Sequence, residues 1–148
     1  MRQDDGEVLL MQTVAALHEA TRSLDGFGGI WIDRAAGPVI NVAVAGTWSD
    51  ELVQQLRALV PAGQGFVLRE VDESLADLES LQERLTDVVL SDPSLRTQLV
   101  ELGSEPQNNA VRLTMLTGTP QKMLDRIAQE FGGPGFVLDS ASEQYRTD

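Results

Sequence analysis

The side chains able to do chemistry in this sequence are few, and their spacing argues against an active site. His18 is the single histidine. A general base needs a nucleophile within reach and a third group to orient it. Glu19 and Arg22, its charged neighbours, supply no nucleophile, so His18 reads as a solvated or half-buried helix residue. Glu73, Asp77, Glu79, Glu83 and Asp87 include carboxylates four apart that could share a cation. A calcium loop, however, needs a tight, oxygen-rich turn with glycine, and here Arg84 interleaves with the acids. They read as a solvated helix face. A phosphate-cradling loop runs from a strand into a helix N-terminus, whereas Gly63–Gly65 and Gly132–Gly135 run from helix to strand and read as helix stops. Gly46-Thr47 and Gly118-Thr119 have the right polarity but lack the lysine, and Asp50 and Glu51 occupy the place an anion would take. No serine sits in a nucleophile-elbow pattern. The reading assigns no catalytic, metal-binding or cofactor-binding residue, and expects no enzyme.

Composition narrows the classes further. With no cysteine there are no disulfides, thiolate zinc sites or cysteine nucleophiles. Acidic residues number 23 against 11 basic ones, a formal charge of −12. That field repels phosphate backbones and anionic lipid surfaces. The arginines are scattered singly and Lys122 is the only lysine, a bias that reflects a GC-rich genome; no nucleic-acid partner is expected. No apolar run approaches the ~20 residues of a membrane span. Met1–Gly6 lacks the basic-then-apolar pattern of a signal peptide, so the chain is either cytoplasmic or the remainder of an exported or anchored protein. Its 148 residues suffice for one core without metal or disulfide staples.

The elements that would position these residues follow from periodicity. Leu10, Val14, Leu17 and Leu24 recur at helical steps from Glu7 to about Leu24, and Gly26, Gly28 and Gly29 stop that helix. Ile30–Asp33 and Val39–Ala45 read as a hairpin. Thr47 or Ser49 caps a helix bearing Leu52, Leu56 and Leu59; Phe66–Val71 is a strand. Asp72 or Ser74 caps a longer helix with Leu75, Leu78, Leu81, Leu85 and Val88 inward. Pro93 breaks it, and Asp92 or Ser94 restarts a short helix through Leu99. Val111–Leu116 is a strand, Thr119 with Pro120 opens the helix bearing Met123, Leu124, Ile127 and Phe131, and Phe136–Leu138 is the last strand. The chain is polar from Ser140.

Two stretches repeat one another. Val39–Leu68 and Val111–Leu138 each run strand, Gly-Thr, helix, glycine-rich turn, then Gly-Phe-Val-Leu. Duplication is the better account. The expected fold is therefore α+β: an N-terminal helix (residues 1–26) and two β-hairpin–α–β units sharing an antiparallel or mixed sheet with the helices packed on it. The repeated domain would span residues 27–139, with the first unit at 27–71, a helical connector at 72–100 and the second unit at 101–139. A polar tail would follow at 140–148.

Gly29-Ile30-Trp31-Ile32-Asp33, then Gly37 and Val39–Ala45, resemble the glycine-aromatic-aspartate hairpin that opens the pro-domains of α-lytic-protease-like (streptogrisin-type) secreted serine proteases. Val71–Leu81 is similar to that family's turn into a long helix with a serine cap, here Ser74. Glu105–Leu113 is similar to its second hairpin. The resemblance covers roughly 27–139. It departs at Glu73, where an aromatic often precedes the cap serine, and no protease follows Asp148. In that family the pro-domain is a folding chaperone and tight inhibitor that pairs its sheet with the protease and lays its C-terminal tail in the active-site cleft. What the resemblance implies is a bacterial, extracytoplasmic, non-enzymatic protein-binding module whose partner is a secreted serine protease. The implied docking edge is the strand Val111–Leu116 with Val111, Leu113 and Met115, and the implied tail contacts are Ser140, Glu143, Gln144 and Tyr145. The rival expectation is a structural or oligomerising domain that associates with itself through the first helix.

Overall fold

A computed structural model describes residues 3–142 of the chain. The fold is α+β with an N-terminal helix. The chain divides into two compact units, residues 1–74 and 75–148. The first unit runs α1 (Gln3–Thr21), β1 (Phe27–Asp33), β2 (Val39–Ala45), α2 (Asp50–Leu59) and β3 (Gly65–Val71). The second runs α3 (Leu75–Ser91), a short α4 (Pro93–Arg96), β4 (Leu99–Glu105), β5 (Ala110–Leu116), α5 (Gln121–Phe131) and β6 (Phe136–Ala141). The stretch 72–100, expected as a connector, thus holds the opening helix of the second unit and the start of β4.

The sheet expected to be shared by both units is instead two separate three-stranded sheets, ordered β1-β2-β3 and β4-β5-β6. In each, a hairpin gives an antiparallel pair and the following helix returns the chain for a parallel one. A tight turn joins antiparallel strands, whereas a parallel neighbour needs a crossover, which α2 and α5 supply. The central strand of each sheet satisfies its main chain on both sides within its own unit.

The structural likeness of the two units extends past the motif legible in the sequence. Ile40 pairs with Phe66 in the first sheet as Val111 pairs with Phe136 in the second. A β-bulge falls between Phe27 and Gly29, opposite Val44 and Ala43, and its counterpart falls between Leu99 and Glu101, opposite Met115 and Thr114. A bulge adds one residue to one strand and re-aims the chain; it recurs at the same register in both sheets. The helices agree as well. Leu10, Thr13, Leu17 and Thr21 are buried along α1, and Leu78, Leu81, Leu85 and Val89 along α3, with the same 3-4-4 spacing. Each unit therefore follows the order αββαβ, with the short α4 added after the first helix of the second unit.

In the second unit those α3 side chains meet Leu95, Val111, Leu113, Met115, Ile127 and Phe131 in one apolar cluster, closed by Leu99, Leu102, Phe136 and Leu138. The local chemistry fixes the ends. Ser49 caps α2 by accepting from the Leu52 N–H at 3.2 Å, and Asp92 caps α4 by accepting from the Ser94 N–H at 2.9 Å. Thr119 departs from expectation. Its hydroxyl donates to the Leu116 carbonyl at 2.6 Å, and α5 begins after Pro120 with no side-chain cap. The short helix expected through Leu99 ends at Arg96, and Leu99 opens β4. Asn109, in the turn between β4 and β5, takes the left-handed conformation with φ 50°, which asparagine tolerates better than most residues.

Candidate functional site

The implied docking edge is not where the resemblance put it. Val111, Leu113 and Met115 are fully buried core residues on β5, the middle strand of its sheet. Alternate residues of a strand face one side of the sheet, and an apolar triplet at i, i+2, i+4 points into the core beneath α3 and α5. Its main chain is already paired with β4 and β6. No incoming strand can use it. Ser140, expected in a polar tail, lies instead within β6, opposite Met115. Glu143, Gln144 and Tyr145 lie outside the described residues.

Among the described residues, β6 is an outer strand of this sheet, with no further strand paired to its far side. The Val111 N–H donates to the Gly135 carbonyl, and the Thr117 N–H to the Ala141 carbonyl. In a parallel pair, residues that bond one neighbour alternate with residues that face away from it. Phe136, Leu138 and Ser140 consequently turn their main chain outward. Two of the three outward N–H groups are already engaged: Phe136 donates to the Gly133 carbonyl at 3.3 Å, and Ser140 to the Asp139 carboxylate at 2.9 Å. Leu138 is left as the outward-facing centre of the edge.

Beside that edge a groove of about 270 Å³ runs between α5 and β6. Gln121, Leu124, Asp125 and Ala128 line its helix side, and Leu138, Asp139 and Ser140 its strand side. Its floor is apolar at Leu124, Ala128 and Leu138, and its rim is acidic at Asp125 and Asp139. Sequence reasoning missed this groove and most of its residues. The only available signal was the repeat itself, because the Gly-Phe-Val-Leu segment closes both units and so occupies an outer strand in both.

On the face of the second sheet opposite the α3 side, Arg112 joins all three strands. It contacts Glu105 on β4 and Asp139 on β6, each at 3.0 Å. Its guanidinium is held above its ordinary pKa, first by the hydrogen bond and charge of Glu105, then by Asp139. The register-equivalent pair in the first unit is Asn41 and Arg69, where the Arg69 Nε donates to the Asn41 Oδ1 at 2.6 Å. The two copies thus keep a polar link between the same two strands while the chemistry has changed. In the first unit Arg34, between β1 and β2, pairs with Glu7 of α1 at 2.6 Å, which raises the arginine pKa; both side chains are exposed, so the pair adds little stability.

The remaining candidates belong to different units and are described one by one. His18 is exposed and its ring meets Phe27 edge-on, with centroids 5.8 Å apart. Glu79, Glu83 and Asp87 face solvent along α3 beside Gln82, Thr86 and Ser104. Among the described residues no group of three His, Cys, Asp or Glu is placed to hold a metal ion. No helix among them is long and apolar enough to cross a membrane. Comparison with protein-family models finds no match, and no curated protein matches the chain.

Proposed function

We propose that the chain is a non-enzymatic protein-binding module, of the kind that chaperones or inhibits a secreted serine protease, acting outside the cytoplasm. The observation that carries the reading is the open edge of β6 beside the α5 groove, with the residues of the expected tail next in sequence. An extended segment of a partner adds to such an edge by main-chain pairing, and alternate side chains drop into the neighbouring groove. Leu138 supplies the outward N–H and C=O. Leu124 and Ala128 receive an apolar side chain, and Asp125 and Asp139 favour a basic one beside it. The hairpin Gly29–Asp33 with Gly37 and Val39–Ala45, which carries the family resemblance, adds to this support.

The test is a titration of chymotrypsin-like secreted proteases with the full chain and with Ser140→Pro. The Ser140 N–H faces away from β5 and donates only to the Asp139 carboxylate, so proline there spares the ladder while its ring crowds the outer edge beside Leu138. Inhibition by the wild type, lost in Ser140→Pro at unchanged thermal stability, supports the reading. No inhibition of any protease in the panel, or equal inhibition by both chains, contradicts it. A second reading, a structural or oligomerising domain built on α1, is favoured by Val8, Leu9 and Met11, which are large, apolar and exposed.

A further inference from the structure

Among the described residues the outer strands of the two sheets are β1, β3, β4 and β6, and their free edges are guarded unequally. β1 and β4 each carry a bulge, and β6 has two of its outward N–H groups engaged. Such devices keep a stray strand off an exposed edge. β3 has neither. Its register with β2 is unbroken from Gly65 to Val71. The Ala45 N–H donates to the Gly26 carbonyl on the β1 side, so Ile40, Val42 and Val44 are the β2 residues that bond β3. By the alternation of a parallel pair, Phe66, Leu68 and Glu70 then turn their main chain outward. Among the described residues no acceptor takes their N–H groups.

Only charge guards β3, and a charge that repels most strands admits one that carries its opposite. Arg69 is exposed on the sheet face shared by Val67, 38% exposed, and Asn41, 1% exposed. In the second unit the corresponding residues are Asp139, Val137 and Arg112, and the cation there is met by two carboxylates. In the first unit the cation stands on the outer strand and meets a neutral amide. The Asn41 Oδ1 accepts from the Arg69 Nε at 2.6 Å, while the Asn41 Nδ2 donates to the Val39 carbonyl at 3.2 Å. A buried amide fixed in this way orients the guanidinium without cancelling its charge. Among the described residues no carboxylate pairs with Arg69. Glu70, next in sequence, belongs to the other face, and its carboxylate accepts from the Trp48 N–H at 3.3 Å. The Nη1 and Nη2 end of Arg69 is left over, and that end of the fork matches a carboxylate in a two-point pair.

We propose that β3 is a second strand-addition site, independent of β6, which takes an extended peptide segment bearing one carboxylate beside Arg69 and an apolar side chain two residues away beside Val67. The segment bonds the main chain at Phe66, Leu68 and Glu70, and side chains of adjacent strands then stand about 5 Å apart, within ion-pair reach of the arginine. A single acid is specified because the chain's net charge of −12 repels a run of them. The test is an amide-resolved NMR titration of the full chain with the blocked peptide Thr-Val-Thr-Glu-Thr-Val-Thr and with its counterpart carrying Gln in place of Glu. The glutamate peptide shifts the Phe66, Leu68 and Glu70 amides and binds about tenfold tighter than the glutamine one. Arg69→Gln keeps a donor nitrogen at the place of Nε, so Asn41 stays satisfied, and it removes only the charged fork. In that variant the melting temperature stays near wild type and the two peptides bind alike. Equal affinity of the two peptides for the wild type, a preference that survives Arg69→Gln, or no shift at the β3 amides overturns the proposal.

Discussion

Asn109 shows how one residue sets a hairpin in this molecule. Among the described residues it is the only one besides glycine with a positive φ. In the first unit the corresponding loop reverses through Gly37, at φ 96°. An L-residue in the left-handed region costs roughly 1–2 kcal/mol, and asparagine recovers part of that through local hydrogen bonding. Asn109→Gly should therefore leave stability unchanged or raise it slightly, while Asn109→Ala should lower it by about 1 kcal/mol. Urea denaturation of the two variants checks the order. Equal stability of both would mean that the turn does not depend on this conformation. Arg112 belongs to the same scale. Its folded-state pKa is raised, so its contribution is fully present below the unfolded value and is lost only as pH rises through the folded one. That window lies at the strongly alkaline extreme, and the link between β4, β5 and β6 stays charged under ordinary conditions.

At the scale of elements, the repeated 3-4-4 stripe makes α1 and α3 the same part used twice. Leu17 and Leu85 occupy matching places and are both fully buried. Leu17→Ala and Leu85→Ala should each destabilise by about 2–5 kcal/mol, the usual cost of a buried leucine truncation with its residual cavity. Chemical denaturation of both variants reads this. A loss well below 1 kcal/mol in either would break the equivalence of the two helices. How far these elements could be read from sequence depended on how strongly each is patterned. The strands β2 and β5 are short runs of valine, isoleucine and leucine, and their period was plain. In contrast, β4 contains Glu101, Gly103, Ser104 and Glu105, which weaken any strand signal, so only the resemblance implied a hairpin there. The last strand, β6, extends through Asp139 and Ser140, polar residues affordable on an outer strand with one side in solvent. Polarity alone therefore misplaced the start of the tail. For α1, Val14 looked inward because it continues the Leu10–Leu17 stripe. Thr13 and Thr21 are the residues actually buried, each hydroxyl donating to the carbonyl four residues back. A threonine that satisfies itself locally can sit in a core, and hydropathy does not reveal it.

On the scale of the whole molecule, the two units keep one backbone plan and have diverged at their surfaces. The central pairings, the bulge and the helix stripes are copied, whereas the outer face of the first helix and the Asn41–Arg69 and Arg112–Asp139 links are not. Such divergence on a retained scaffold is what binding surfaces require, since function lies in sites built on a fold and not in the fold itself. The candidate site was the least legible part for this reason. Whether a strand is central or outer depends on sheet order, which no local pattern of residues encodes, and β5 and β6 exchanged roles on that account. The central claim is that β6 is where a partner docks. Amide hydrogen exchange of the full chain, alone and mixed with each of a panel of chymotrypsin-like secreted proteases, tests it most directly. The account predicts that one protease slows exchange at Leu138 and along β6 while Leu113 on the central strand is unchanged. Protection that appears on another face with β6 untouched, or no protection with any protease, would contradict it.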